Sequence, residues 1–239
     1  MRIVQYFALL LIAIMAGSCG GAGGGTNGIG NSSLVATYRS QFTRGVVANT
    51  NLVLFIQANG HVGAQISDAT GVLWAGTGTV FQNSVNVGLT PVSSSVTGNV
   101  LMTGTVVPGT PPTLNIALSG ALTDTFGATQ FSGAGVLPIA HAYSFTTDGD
   151  EKGSGQFTID DNGHLTGTLD SPTFGNGLSI DGTVDITGHT VIHVAAVGVN
   201  GTLTGYVFLA PGASLWGGNG TLTLNTLNGT WQATQMPTP

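Results

Sequence analysis

The sequence predicts an all-β fold of two tandem, related antiparallel units, each a small up-and-down barrel or two-sheet sandwich, with a merger into one larger barrel left open. Three observations lead there. Polar residues alternate with Val, Leu, Ile and Phe through short runs, among them Leu52-Val53-Leu54-Phe55-Ile56, Thr113-Leu114-Asn115-Ile116-Ala117-Leu118 and Thr221-Leu222-Thr223-Leu224. The chain repeats itself at a spacing near one hundred residues. Beyond the first residues, Gly or a β-branched residue interrupts nearly every window in which a helical stripe could form.

Residues 1–18 open with Arg2 and continue through an apolar stretch, Ile3 to Met15, too short to cross a hydrocarbon layer as a helix and suited to an export signal. The stretch Met15-Ala16-Gly17-Ser18-Cys19 ends on the only cysteine of the chain. It resembles the lipobox of bacterial lipoproteins, with Ala16 in the place usually taken by Leu. The resemblance implies cleavage before Cys19, a lipid on that residue and anchorage in the cell envelope. Gly20 rather than Asp after the cysteine implies the outer membrane. The bland alternative is an ordinary secretory signal cut near a chance cysteine. Residues 19–33 are dominated by Gly with Ser, Asn and Thr, a flexible-coil composition that reads as a tether. A single thiol leaves the fold without an internal disulfide, so packing and strand pairing must hold it.

The first unit spans 34–138 and the second 139–234, with a tail at 235–239. Phe55-Ile56-Gln57-Ala58-Asn59-Gly60-His61-Val62 matches Thr158-Ile159-Asp160-Asp161-Asn162-Gly163-His164-Leu165. Downstream, Gly78-Thr79-Val80 matches Gly182-Thr183-Val184, and upstream Tyr38 falls opposite Tyr143. The preserved order points to a tandem duplication. Each Asn-Gly pair predicts a type I′ hairpin turn, which needs positive φ at both central residues. The boundary falls near Pro138, after Gly133-Ala134-Gly135. Edge strands would carry almost no Lys or Glu to discourage pairing with other molecules, so closed units are preferable to open sheets.

Charged residues are only 6% of the chain, and the formal net charge is −6. Loss of Arg2 with the signal leaves Arg39, Arg44 and Lys152 as the basic residues. That set excludes nucleic acid and other polyanions as partners, because counterion displacement needs several cations on one face. A membrane-spanning barrel is disfavoured by runs of six to eight residues, where about nine to eleven are needed, and by the tail Met236-Pro237-Thr238-Pro239. The hairpin rhythm, with Asn228-Gly229-Thr230-Trp231, loosely resembles lipocalin-like envelope lipoproteins, although the Gly-x-Trp signature of lipocalins belongs on the first strand and this copy lies on the last.

Candidate chemistry is sparse. His189 and His193 share a strand face but stand about 13 Å apart, too far for one zinc ion. His61 and His164 follow the duplicated turns and read as a legacy of the duplication. Asp148-Gly149-Asp150-Glu151-Lys152-Gly153 has Lys152 and Ile159 where an EF-hand needs oxygen ligands, leaving only weak calcium binding near Asp148, Asp150 and Asp160. Asp181 and Asp185 are about 13 Å apart along one strand, beyond the carboxyl separation of glycosidases. No nucleophile elbow, zincin motif or cysteine nucleophile occurs. Tyr38, Trp74, Tyr143, Tyr206, Trp216 and Trp231 are the candidate ligand-binding residues for a small apolar ligand or a carbohydrate, and the bland alternative makes them core or barrel plugs. The expectation is a lipid-anchored envelope protein with a non-catalytic binding or surface-structural role, without cofactor or metal. A lipocalin-like carrier is the alternative, and an enzyme assembled from unlinked residues the third reading.

Overall fold

The computed structural model describes residues 36–42, 49–107, 109, 111–132 and 137–237. Cys19, the signal, the tether and the Gly133-Ala134-Gly135 link lie outside the described residues. Within them the chain forms two closed eight-stranded barrels of consecutive antiparallel strands. The first contains β1 (Ala36–Phe42), β2 (Thr50–Ile56), β3 (His61–Ser67), β4 (Val72–Phe81), β5 (Ser84–Pro91), β6 (Val100–Val107), β7 (Thr113–Gly120) and β8 (Asp124–Ser132). The second contains β9 (Ala142–Gly149), β10 (Ser154–Ile159), β11 (His164–Ser171), β12 (Gly175–Val184), β13 (His189–Ala196), β14 (Val199–Phe208), β15 (Gly217–Leu224) and β16 (Leu227–Gln235). Pairing of β1 with β8 closes one sheet and pairing of β9 with β16 closes the other, so the units do not merge.

Closure leaves no edge strand, which explains how strands nearly devoid of Lys and Glu avoid pairing with other molecules. Each barrel has its own apolar interior. The first is filled from β1 to β8 by residues such as Tyr38, Leu54, Ile66, Met102 and Leu114, and the second by Tyr143, Phe157, Leu165, Ile192 and Trp231. Along β11 and β12 the residues between these inward positions are exposed and polar, for instance Thr166, Thr168, Ser179 and Asp181. Apolar inside and polar outside is the inverse of the outward apolar band of a membrane-spanning barrel.

The duplicated turns join β2 to β3 and β10 to β11, but their geometry departs from the type I′ expectation. Gly60 N donates to Gln57 O (3.0 Å) and Gln57 N to His61 O (2.9 Å), while the second copy repeats both bonds between Gly163, Asp160 and His164. Only the glycines are left-handed, at φ 82° and 78°. This is a three-residue loop in which a type I turn runs into a glycine bulge, so Asn59 and Asn162 need no positive φ. The turn from β12 to β13 is a third copy, with Gly188 N donating to Asp185 O.

The barrels are packed against each other. In β2 every residue is buried, because Leu52, Leu54 and Ile56 join the first interior while Val53 and Phe55 belong to the apolar cluster of the second barrel. Strand β3 carries Gly63 at the same contact, where a Cβ would lie 2.1 Å from the carbonyl oxygen of Ile186. Val72, Ala75 and Phe208 form a third cluster joined by Tyr206 and Ala210. In an up-and-down barrel successive connections alternate between ends, so the β12–β13 turn and the β14–β15 connection lie at one end of the second barrel. That end sits on the outer wall of β1 to β4.

Candidate ligand grooves at the seam between barrels

The seam is fastened by side chains of the first barrel that donate to main-chain carbonyls of the second. Asn51 Nδ2 and Ser67 Oγ both donate to Leu209 O, at 3.0 and 2.9 Å. Gln65 Nε2 donates to Val207 O and Arg39 Nη1 to Ala213 O, each at 3.2 Å. Arg39 Nε donates to Asn51 Oδ1 at 3.0 Å, which orients the amide, and partial burial lowers the affinity of the guanidinium for its proton. These bonds satisfy carbonyls at the end of β14 and in the β14–β15 connection. In the other direction Asn219 of β15 donates through Nδ2 to Thr70 O in the β3–β4 turn.

Two grooves flank that Asn219 bridge. The first, of about 360 Å³, is lined by Gly71, Val72, Leu73, Val92 and Ser93 of the first barrel and by His189, Thr204, Tyr206, Asn219 and Thr221 of the second. The rings of His189 and Tyr206 meet at 5.2 Å with a 58° tilt. The Thr204 and Thr221 hydroxyls are 3.0 Å apart across β14 and β15. Burial, followed by the nearby Asp185 carboxylate, raises the pKa of the Tyr206 hydroxyl, so it keeps its proton and remains a donor. The groove therefore combines a tilted ring pair, several hydroxyls and an amide, with no Asp, Glu, Lys or Arg in its lining. The second groove, of about 520 Å³, is more apolar along one side, with Phe208, Ala210, Leu215 and Trp216 opposite Gln232 and Thr234. A further groove of about 660 Å³ lies on the outer wall of β5 to β8, among Asn86, Thr103, Thr105, Asn115 and Thr125.

Of the six aromatic candidates, Tyr206 and Trp216 line seam grooves. The other four lie within barrel cores: Tyr38 and Trp74 in the first, Tyr143 and Trp231 in the second. The polar tips of three of them are satisfied internally: Trp74 Nε1 donates to Gly98 O (2.9 Å), Tyr143 OH to Ile139 O (3.0 Å) and Trp231 Nε1 to Thr204 O (3.2 Å). Tyr143 also stacks on Phe157 with ring centroids 5.0 Å apart, and its burial raises the phenol pKa well above its ordinary value. Trp216 belongs to the second core while an edge reaches the groove.

The acidic residues are dispersed. Asp148 faces Lys152 at 3.8 Å in an exposed pair, and Asp150 Oδ2 accepts from Asn228 N at 3.0 Å. Asp160 lies at the far end of β10, on the order of 20 Å along the strand, so it does not join Asp148 and Asp150 in one cation site. Asp160 Oδ1 instead accepts from the backbone of Asn162 and His164, bonds that hold its carboxyl below the usual range. Asp185 Oδ1 accepts from the backbone of Thr187 and His189 in its own turn, and Asp181 lies 3.6 Å from His164 Nε2 on the exposed surface. Among the described residues no cluster of three or more His, Cys, Asp or Glu is placed to hold a metal.

The fasteners Asn51, Gln65, Ser67 and Asn219 were not among the residues singled out from sequence. The signal available was the unbroken apolar run of β2, which marks burial on both faces and so a neighbour beyond its own barrel.

No known family matches the chain, and no curated protein matches it. Among solved structures it is similar to intact Ap-TbpB, N and C lobes, at TM-score 0.28 and 9% identity, covering 78% of this chain and 66% of that one. Transferrin binding protein B of Haemophilus parasuis Hp5, a vaccine antigen, gives 0.26 and 8%, covering 78% and 65%. A chain of Bacteroides fragilis NCTC 9343 provisionally assigned to the outer membrane gives 0.24 and 11%, covering 87% and 100%. The chain thus spans just under two thirds of the two TbpB chains. None of these similarities is strong enough to transfer a function.

Proposed function

We propose that this protein is a lipid-anchored component of the cell envelope, held at the outer membrane through Cys19, and that it acts by binding a neutral, hydroxyl-rich ligand, a carbohydrate, at the seam between its barrels. The observation that carries the binding reading is the first seam groove. Its ring pair offers an apolar face to a sugar ring, and its Thr, Ser and Asn groups offer hydrogen bonds to hydroxyls without attracting ions. A carrier with its ligand inside a barrel is less well supported, because large side chains fill both interiors and the grooves open on outer surfaces. The absence of charge on the grooves is equally suited to display at a surface rather than turnover.

Neutral glycan arrays and calorimetry on the whole chain test the binding reading. The expected result is millimolar or tighter binding of a neutral glycan that falls at least tenfold in His189→Ala, with the thermal unfolding profile retained. An array without a hit, or a hit unaffected by His189→Ala and by Thr204→Val, overturns it. The anchor is tested separately by mass spectrometry of the mature N-terminus: a diacylglyceryl-modified Cys19 is expected, and an unmodified cysteine or cleavage elsewhere overturns that part.

A further inference from the structure

Glu151 is the only glutamate of the chain. It stands in the β9–β10 loop between the exposed Asp150 and Lys152, yet it is itself only 1% exposed. Both carboxylate oxygens are enclosed and neither has a hydrogen-bond partner among the described residues. An ionised carboxylate enclosed without a partner is strongly unfavourable, and a bound cation is one way to satisfy it. Among the described residues the cations do not serve. Lys152 points outward to Asp148, and Arg39 is bonded to Asn51 and Ala213 in the seam, at the opposite end of the second barrel.

We propose that Glu151 anchors a site for a hard, oxygen-ligated cation, Ca²⁺ being the best fit, at the end of the second barrel away from the seam. The same end carries two buried hydroxyls whose oxygens retain a free lone pair. Thr147 Oγ1 accepts from Gly153 N at 2.6 Å and Ser171 Oγ from Phe174 N at 2.9 Å. Carboxylate and hydroxyl oxygens are hard donors of the kind Ca²⁺ accepts, and they do not suit soft metals, which favour sulfur or imidazole. The loop is also pinned: Asp150 N donates to Asn228 O, Asn228 N donates to Asp150 Oδ2, and Thr147 N donates to Gly153 O. A pinned loop presents its ligands without further ordering on binding. Few charged ligands place the site in the weak range of extracellular modules, with Kd on the order of 10⁻⁴ to 10⁻³ M. This site is independent of the seam grooves.

The test is a Ca²⁺ titration of the chelator-treated full chain by calorimetry and thermal unfolding, with Mg²⁺ in parallel. One Ca²⁺ per chain is expected, with Tm rising as the concentration passes Kd. Glu151→Gln, which keeps shape and removes charge, is expected to weaken binding at least tenfold and to abolish the Tm response, while Asp148→Asn retains both. No heat and no Tm shift in the unaltered chain up to about tenfold the upper Kd of this range overturns the proposal, whether or not Glu151→Gln folds. So does unaltered Ca²⁺ affinity in a folded Glu151→Gln chain, which marks binding elsewhere.

Discussion

Strands β2 and β3 of the first barrel and β10 and β11 of the second derive from the same repeated segment, yet they live in different environments. Aligned on Asn59 and Asn162, their inward positions agree: Leu54 with Phe157, Ile56 with Ile159, Val62 with Leu165, Ile66 with Leu169. Their outward positions do not. Val53, Phe55, Gly63 and Ser67 face the second barrel, where their counterparts Gln156, Thr158, Thr166 and Asp170 face solvent. What one copy must do to close a barrel is shared, and what it does to hold a neighbour is confined to the other face. Period-2 geometry lets the two requirements vary independently.

Exchanging the two copies at single positions breaks this asymmetry most sharply at Gly63. Gly63→Thr gives it the residue of its counterpart Thr166 and drives a side chain into the Ile186 carbonyl. We expect a loss of about 3 kcal/mol or more, with one cooperative unfolding transition splitting into two as the barrels separate. The reverse change, Thr166→Gly on the open face, should lose no more than about 1 kcal/mol. Equal losses for the two, measured by denaturant unfolding, would sink the idea that Gly63 is kept small by the seam.

Phe55 gives the next largest contrast. Phe55→Thr removes a buried ring from the seam and is expected to destabilise by about 3 kcal/mol, whereas Thr158→Ala on β10 should stay within about 0.5 kcal/mol. Asn51→Ala follows at about 2 kcal/mol, because it strips Leu209 O of one of two donors and removes the amide acceptor of the half-buried Arg39 Nε. Thermal unfolding of the three variants checks the order, and Asn51→Ala matching unaltered protein would mean that water replaces those bonds.

The β class, the duplication and closed units could be read from sequence because each rests on local, repeated signals: alternation, a doubled Asn-Gly hairpin and the shortage of edge charges. The seam could not be read in the same way. Leu52 to Ile56 looked like one more alternating run, although five consecutive apolar residues signal two buried faces. Nothing local to β2 names the segment from Val207 to Ala213 as its partner, since that contact depends on how two completed barrels dock. The aromatic residues showed the same limit. Composition marks Tyr and Trp as able to stack on a ligand, but whether a ring faces a core or a groove depends on its strand register, and that left only Tyr206 and Trp216 at the seam. Glu151 gave no signal beyond being alone, because burial of a loop side chain depends on the loop's path.

The smallest effect separates the two copies of the hairpin turn. At Asp160 a carboxylate accepts from the backbone of His164 and Asn162, while the first copy has Gln57 there and relies on Asn59 Oδ1 accepting from His61 N. Because the folded-state pKa of Asp160 is lowered, chiefly by the His164 backbone bond, its contribution is fully present above the unfolded carboxylate value near 4 and is lost as pH falls through the lower folded value. Nuclear magnetic resonance between about pH 2 and 6 should show the His164 and Asn162 amides titrating together with a midpoint below the ordinary carboxylate range. The His61 amide should not follow them, and Asp160→Asn should remove the transition from His164. A midpoint at or above the ordinary value would mean that the carboxylate gains nothing from the turn, and that the two copies close their hairpins by the glycine bulge alone.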